Sequence, residues 1–310
     1  MHRPAAILLR VTYSIVARDP LTGQFGVAVQ SHFLGVGPVV PWLAAGVGAV
    51  ATQASVNVAL GPLGIDLLRN GRSASEALDA LVAGDEAPQV RQLGIVDAAG
   101  RAAAHTGADC IPAAGHLVGD GFCVQGNLLL AETCWPAMAD AYSAGLRDGQ
   151  PLVERLLLAL EAAEAEGGDV RGRQSAAIKV VSAQAGERTR LWDGLLMDIR
   201  IEDHPDPVPE LRRLVSLQLA YDLMDDDAPK HGPSADERYR QARLLAPEAY
   251  ELVFWRGLEL ATSGALDAAR AELAIAFSAD ERWRTTLQHL AHAGREGVTP
   301  ELAADLLAEG

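Results

Sequence analysis

Apolar and polar positions alternate with period two from Phe25 to Ser31, where Phe25, Val27 and Val29 interleave with Gly26, Ala28 and Gln30. The run before it, "TYSIVARD", reads the same way, and "PLTG" between them has turn chemistry. Together they predict a β-hairpin. "VGAVATQ" (47–53) predicts a third strand. "LGIDLLRNG" then changes to helical spacing and stops at Gly71. "SASEALDALVAGD" opens on Ser73 with Glu76 three residues on and closes at Gly84, the pattern of a capping-box helix. "VRQLGIVDAAGRAAAHTG" predicts a second hairpin turning at "DAAG", and "GDGFCVQGNLLL" another strand ending at Gly126-Asn127. Helices are expected over about 131–147 and 151–166, followed by strands in "RQSAAIKVVS" and "RTRLWDGLLMDIRI".

Strands and helices therefore come in blocks, which is not the β-α-β-α alternation of a doubly wound sheet. Antiparallel sheets covered by outer helices fit better, an α+β class. "HPDPVPELRRLVSLQLAYDLM" predicts a helix after a proline-rich approach. The charged, Pro- and Gly-bearing stretch after it reads as a linker over 223–235. From 236 to 310 the pattern is purely helical, with two amphipathic helices around "SGAL" and a related stretch at "DERWRTTLQHLAHAG". Its Trp, Gly and Ala spacing resembles a tetratricopeptide-type helical hairpin. The expected domains are thus 12–222 and 236–310.

Charge narrows the partners. The formal net charge is −15 over 310 residues, which argues against a nucleic-acid backbone or an anionic membrane. Three cysteines, Cys110, Cys123 and Cys134, have neither disulfide-framework nor zinc spacing and predict buried free thiols. No long apolar run predicts a membrane span. In "MHRPAAILLRV" the apolar core "AAILL" is too short for a secretory leader. A cytoplasmic protein without metal or cofactor is expected.

Two motifs invite chemistry and are set aside. "GVGAVA" (46–51) matches G-x-G-x-x-A, but its glycines lie before or inside a strand and no helix follows at once. His204 in "EDHPDP" offers a metal-ligand pattern, yet a helix-leading loop rich in Asp and Pro explains it as well. G-x-S-x-G, Walker and H-E-x-x-H motifs do not occur.

Six ordered stretches carry a resemblance: "TYSIVARDPLTGQFGVAVQSHFLGVGPVVPW", "GVGAVATQA", "QLGIVDAAGRAAAHTG", "VQGNLL", "GGDVRGRQSAAI" and "IRIEDHPDPVPELRRL". Together, over about residues 12 to 220, they resemble the bacterial family called domain of unknown function 1028, grouped with the N-terminal-nucleophile (Ntn) hydrolases. The resemblance implies a four-layer αββα sandwich of two antiparallel sheets and, by fold analogy, hydrolysis of amide bonds. Family members typically begin Met-Thr-Phe/Tyr-Ser. Val11 stands where that methionine would be, as an internally read GTG start codon would leave it. The expectation is a working chain that starts at Thr12. A pro-segment removed by self-cleavage is the alternative route to it.

An N-terminal threonine is a nucleophile with its own base, because the α-amine can take the hydroxyl proton. That amine titrates at roughly 7.7–8.0, so it is available near neutral pH. An amide nitrogen cannot serve. The hairpin brings Gln30, Ser31 and His32 beside Thr12, and Ser31 would hydrogen-bond the amine unless solvent or backbone takes it. Gln53, closing the third strand, would line the same cleft. Asn127 would donate to an oxyanion or simply form a turn. In "GGDVRGRQS", Asp169, Arg171 and Arg173 form a charge cluster: an arginine would clamp a substrate carboxylate, or tie the loop to Asp169. Gln174 and Ser175 would orient amine or substrate. The expected reaction is cleavage of a small amide or peptide-like substrate. The alternative is a catalytically silent Ntn-like scaffold or ligand-binding protein that works through its helical tail. Assembly as a homo-oligomer, a dimer first, is expected by analogy.

Overall fold

The computed structural model describes residues 12–186, 194–225 and 233–308. Residues 1–11, which precede the expected start at Thr12, and most of the expected linker lie outside these residues. The chain divides into two compact units, the first ending at Arg212 and the second beginning at Arg213.

The first unit holds two antiparallel sheets. Strands β1 (Thr12–Arg18), β2 (Phe25–Ser31), β3 (Pro41–Ala44) and β4 (Gly48–Ala54) come first, followed by helices α1 (Leu60–Arg69) and α2 (Ala74–Gly84). Then come β5 (Arg91–Asp97), β6 (Ala102–Thr106), β7 (Gly115–Gly119) and β8 (Phe122–Asn127). The helical pair α3 (Cys134–Arg147) and α4 (Leu152–Ala165) precedes β9 (Ser175–Val181) and β10 (Leu195–Ile201), and α5 (Pro207–Leu223) leads out. One sheet has the order β10-β9-β2-β1-β8-β7 and the other β3-β4-β5-β6. Helices α3 and α4 cover the outer face of the larger sheet; α1 and α2 cover that of the smaller. The inner faces of the sheets pack on each other, giving helix, sheet, sheet, helix.

This layering explains why β1 and β2 are so apolar. Both faces of the larger sheet are covered, so every residue of β2 is buried. Phe25, Val27 and Val29 enter the intersheet core with Val16, Ala49, Ala51 and Val96. The alternate residues face α4, and Gly26 lets that helix close in: a Cβ there would stand 2.5 Å from Leu156 Cδ1. On the other side Val50, Leu93 and Ile95 pack with Leu60, Ile65, Leu78 and Leu81 of α1 and α2. The Ser73 capping box is present in both directions. β3 and β7 were not anticipated. β3 has only four residues, and β7, "GHLVG", lies at a sheet edge with Leu117 and Val118 exposed, so neither carries an alternating pattern.

The second unit is helical: α6 (Ala235–Leu245), α7 (Tyr250–Thr262), α8 (Leu266–Ala279), α9 (Arg282–Ala293) and α10 (Pro300–Leu307). α7 and α8 form a hairpin around Phe254, Leu258, Leu273 and Phe277, and the Phe254 and Trp283 rings stack at 4.9 Å. Among the described residues no helix is long and apolar enough to cross a membrane.

Candidate active site

Strand register gathers the site. β1 lies between β2 and β8, with Thr12 opposite Asn127 and Tyr13 opposite Gln30, so Ser31 falls beside Thr12. Alternation turns Thr12, Ser14 and Val16 toward the second sheet. That sheet presents Gln53 and Gln92, which are themselves paired across β4 and β5.

The side chains meet in one buried cluster. Thr12 Oγ1 donates to Ser31 Oγ at 3.2 Å. The carbonyl oxygen of Thr12 accepts from Gln53 Nε2 at 3.1 Å and from Asn127 Nδ2 at 3.3 Å. Ser14 Oγ donates to Gln53 Oε1 at 2.6 Å and accepts from Gln125 Nε2 at 2.6 Å. Gln125 fits because position 94 is glycine; a Cβ there would stand 2.5 Å from Gln125 Oε1. Thr12, Ser31, Gln53, Gln92, Gln125 and Asn127 are all at most 2% exposed. Every group bonded to Thr12 among the described residues is a neutral hydroxyl or amide. Of the expected residues, Thr12, Ser31, Gln53 and Asn127 therefore come together. Both N–H groups of Asn127 are occupied, the second by Gln92 Oε1 at 2.9 Å.

The loop before β9 lies against the same strand ends. Asp169 is buried and accepts from the His32 backbone N–H at 2.8 Å, one residue beyond Ser31. Arg171 pairs with Asp169 through Nη2 at 3.0 Å and Nε at 3.2 Å, its side chain 28% exposed. Arg173 pairs with Glu164 and with Asp206 instead. Gln174 donates to Asp203 at 3.1 Å, and Ser175 Oγ donates to the Phe33 carbonyl and accepts from Val36 N–H, tying down the turn after β2. None of these three bonds Thr12.

Behind Thr12 the opposite face of β1 is anchored. Tyr13 is fully buried and its hydroxyl donates to Glu164. Burial, then the Glu164 charge, pushes the Tyr13 phenol well above its ordinary range, so it stays a neutral donor. Gln30 shares this face and is fully buried with neither side-chain polar atom partnered among the described residues. It sits beside Tyr13 rather than in the Thr12 cluster.

Sequence reasoning did not single out Gln92, Gln125 or Ser14. A signal was present: an amide interrupts each apolar run in "AVQS", "ATQA", "RQLG" and "VQGN". Polar amides recurring near strand ends mark a shared buried network.

The first unit is thus a four-layer α+β domain with a neutral amide and hydroxyl cluster at one end of its intersheet space. A family model described as a family of unknown function, DUF1028, matches residues 12–211, and the chain belongs to that family. The crystal structure of protein SPO2555 from Silicibacter pomeroyi, assigned to DUF1028, is similar, with 28% identity, a TM-score of 0.59 and coverage of 74% of this chain and 97% of that one. No curated protein matches.

Proposed function

We propose that the first unit is an Ntn-type amidohydrolase in which Thr12, freed as the first residue, is the nucleophile. The observation that carries this reading is the surrounding of Thr12. Its hydroxyl and carbonyl are held by Ser31, Gln53 and Asn127, yet no titratable side chain among the described residues bonds to it. A hydroxyl so placed needs a base, and the α-amine of residue 12 would supply one once the peptide bond before it is gone. The family match also opens at residue 12.

In the proposed reaction Thr12 Oγ1 adds to the carbonyl carbon of the substrate amide while its proton passes to the α-amine. Collapse of the tetrahedral intermediate breaks the C–N bond, and the same proton leaves with the amine. Water then hydrolyses the Thr12 ester and regenerates the hydroxyl. Ser31 holds Oγ1. Asn127 takes a positioning role here rather than the oxyanion role, since both of its N–H groups are in use. Arg171, partly exposed and already neutralised by Asp169, fits loop-tying better than a free carboxylate clamp. The substrate class is a small amide or peptide-like compound. The helical unit, read as tetratricopeptide-like, would serve assembly or partner binding.

The test is turnover of a small-amide library by chain starting at Thr12. Thr12→Ala should abolish turnover and Thr12→Ser should retain part of it, while chain that keeps Val11 should be inactive. Wild-type turnover by Thr12→Ala would overturn the reading in favour of the silent scaffold.

A further inference from the structure

We infer that Gln92 is the positioning residue that aims the two amide side chains gripping Thr12. The inference rests on the Thr12 reading above and adds a residue from the other sheet that touches neither Thr12 nor substrate.

Hydrogen-bond direction sets the roles of these amides. Gln92 Oε1 accepts from Gln53 Nε2 at 2.7 Å and from Asn127 Nδ2 at 2.9 Å. Each of those amide groups has two N–H donors. With one donor on Gln92, the other points at the Thr12 carbonyl oxygen, at 3.1 and 3.3 Å respectively, and Gln53 Nε2 also reaches the Gln125 carbonyl at 3.5 Å. If Gln92 presented its –NH2 at this point instead, donor would face donor, and Gln53 and Asn127 would have to turn their oxygens toward Gln92.

Gln92 cannot turn over cheaply. Its Nε2 faces the Gly126 carbonyl at 2.8 Å, Thr106 Oγ1 at 3.0 Å and the Gly115 carbonyl at 3.1 Å. Flipping the amide would set an oxygen against two backbone carbonyls in a buried site. Thr106 Oγ1 accepts from Gln92 Nε2 and also bonds His116 Nδ1, at 2.8 Å. Backbone carbonyls of β7 and β8 thus fix one amide, that amide fixes two more, and those two fix the plane of the Thr12 peptide. Thr12 lies at a strand end, where backbone would otherwise fray, so the clamp holds the hydroxyl in a single geometry. Reaction rates are sensitive to such placement, with displacements near 1 Å costing about a hundredfold.

The test uses chain starting at Thr12, with nitrogen-15 label, and two readouts. One is solvent exchange of the Gln53 and Asn127 side-chain amide protons. The other is the rate at which a small aliphatic β-lactone acylates Thr12, followed by mass spectrometry. In Gln92→Met, which keeps the length of the side chain, exchange at both amides should rise at least about tenfold. Acylation should fall about ten- to a hundredfold, with the cooperative unfolding transition retained. Thr106→Val, at a half-buried position, should move both readouts in the same direction by less, and it decides the matter if Gln92→Met does not fold. Unchanged amide exchange in the folded variants would overturn the inference, as would unchanged acylation beside an active wild type. A wild type that is never acylated at Thr12 would sink the nucleophile reading alone, and the exchange readout would still judge Gln92.

Discussion

Replacing Asp19 by Asn should destabilise the first unit more than almost any other single polar change. Asp19 Oδ2 pairs with Arg155 Nη2 at 3.0 Å, and the two side chains are 6% and 1% exposed. The guanidinium Nε and Nη1 have no hydrogen-bond partner among the described residues; the Tyr142 ring lies beneath, 5.1 Å from Arg155 Cζ. The Asp19 charge is therefore the main compensation for a buried cation. Asn keeps the shape and the acceptor for the Leu21 backbone N–H, which Asp19 Oδ1 takes at 2.9 Å, so the change isolates the charge. Removing one partner of a buried pair costs about 3–5 kcal/mol. For a unit of this size each kcal/mol moves Tm by about 2–4 °C, giving a fall of roughly 6–20 °C. Scanning calorimetry of the full chain measures it. The double variant Asp19→Asn/Arg155→Met removes the stranded cation and should recover part of the loss, because methionine still packs where the Arg155 stem lies against Gly145. A single variant within about 1 kcal/mol of wild type, or a double variant less stable than the single, would refute the argument.

Other expectations follow from the same structure. Gly61→Ala places a Cβ within 2.2 Å of the Trp42 ring and should cost about 1–3 kcal/mol in urea denaturation; no loss would mean that the ring moves freely. All three cysteines are buried, and burial pushes the Cys123 thiol up to about 12, so an aromatic disulfide reagent at mild alkaline pH should titrate thiols readily only after unfolding. Burial, then the nearby His105, lowers the His116 pKa. The unfolded state, with its His near 6.5, then takes up the proton first. Stability held above about pH 6.5 should fall as pH drops toward the folded value. His116→Gln should flatten this slope between about pH 7.5 and about pH 5.5; equal slopes would contradict the assignment.

Much of the architecture was legible because it is local. The β1–β2 hairpin, the Ser73-capped helix and the α3–α4 pair each carry their own turn, cap or period. Hairpin adjacency alone brings Ser31 to Thr12. What could not be read was the stacking of one sheet on the other. Gln53 and Gln92 reach Thr12 and Asn127 across the space between sheets, and no spacing in sequence encodes that alignment. The same limit applies to Arg173, whose partners Glu164 and Asp206 come from α4 and from the segment before α5. β7 was missed for a different reason: an edge strand with exposed Leu117 and Val118 has no buried face to impose a pattern.

If Thr12 becomes a free N-terminal nucleophile, it should be both the first residue and the site of acylation, and mass spectrometry reads both. Protein produced from its native gene is incubated with a small aliphatic β-lactone, weighed intact and then mapped by peptide. The expected product is a chain that begins at Thr12 and carries one acyl group on that residue, with Thr12→Ala unlabelled. A chain that retains the residues before Thr12 and still turns over an amide, or a chain starting at Thr12 whose adducts all lie elsewhere, would contradict it.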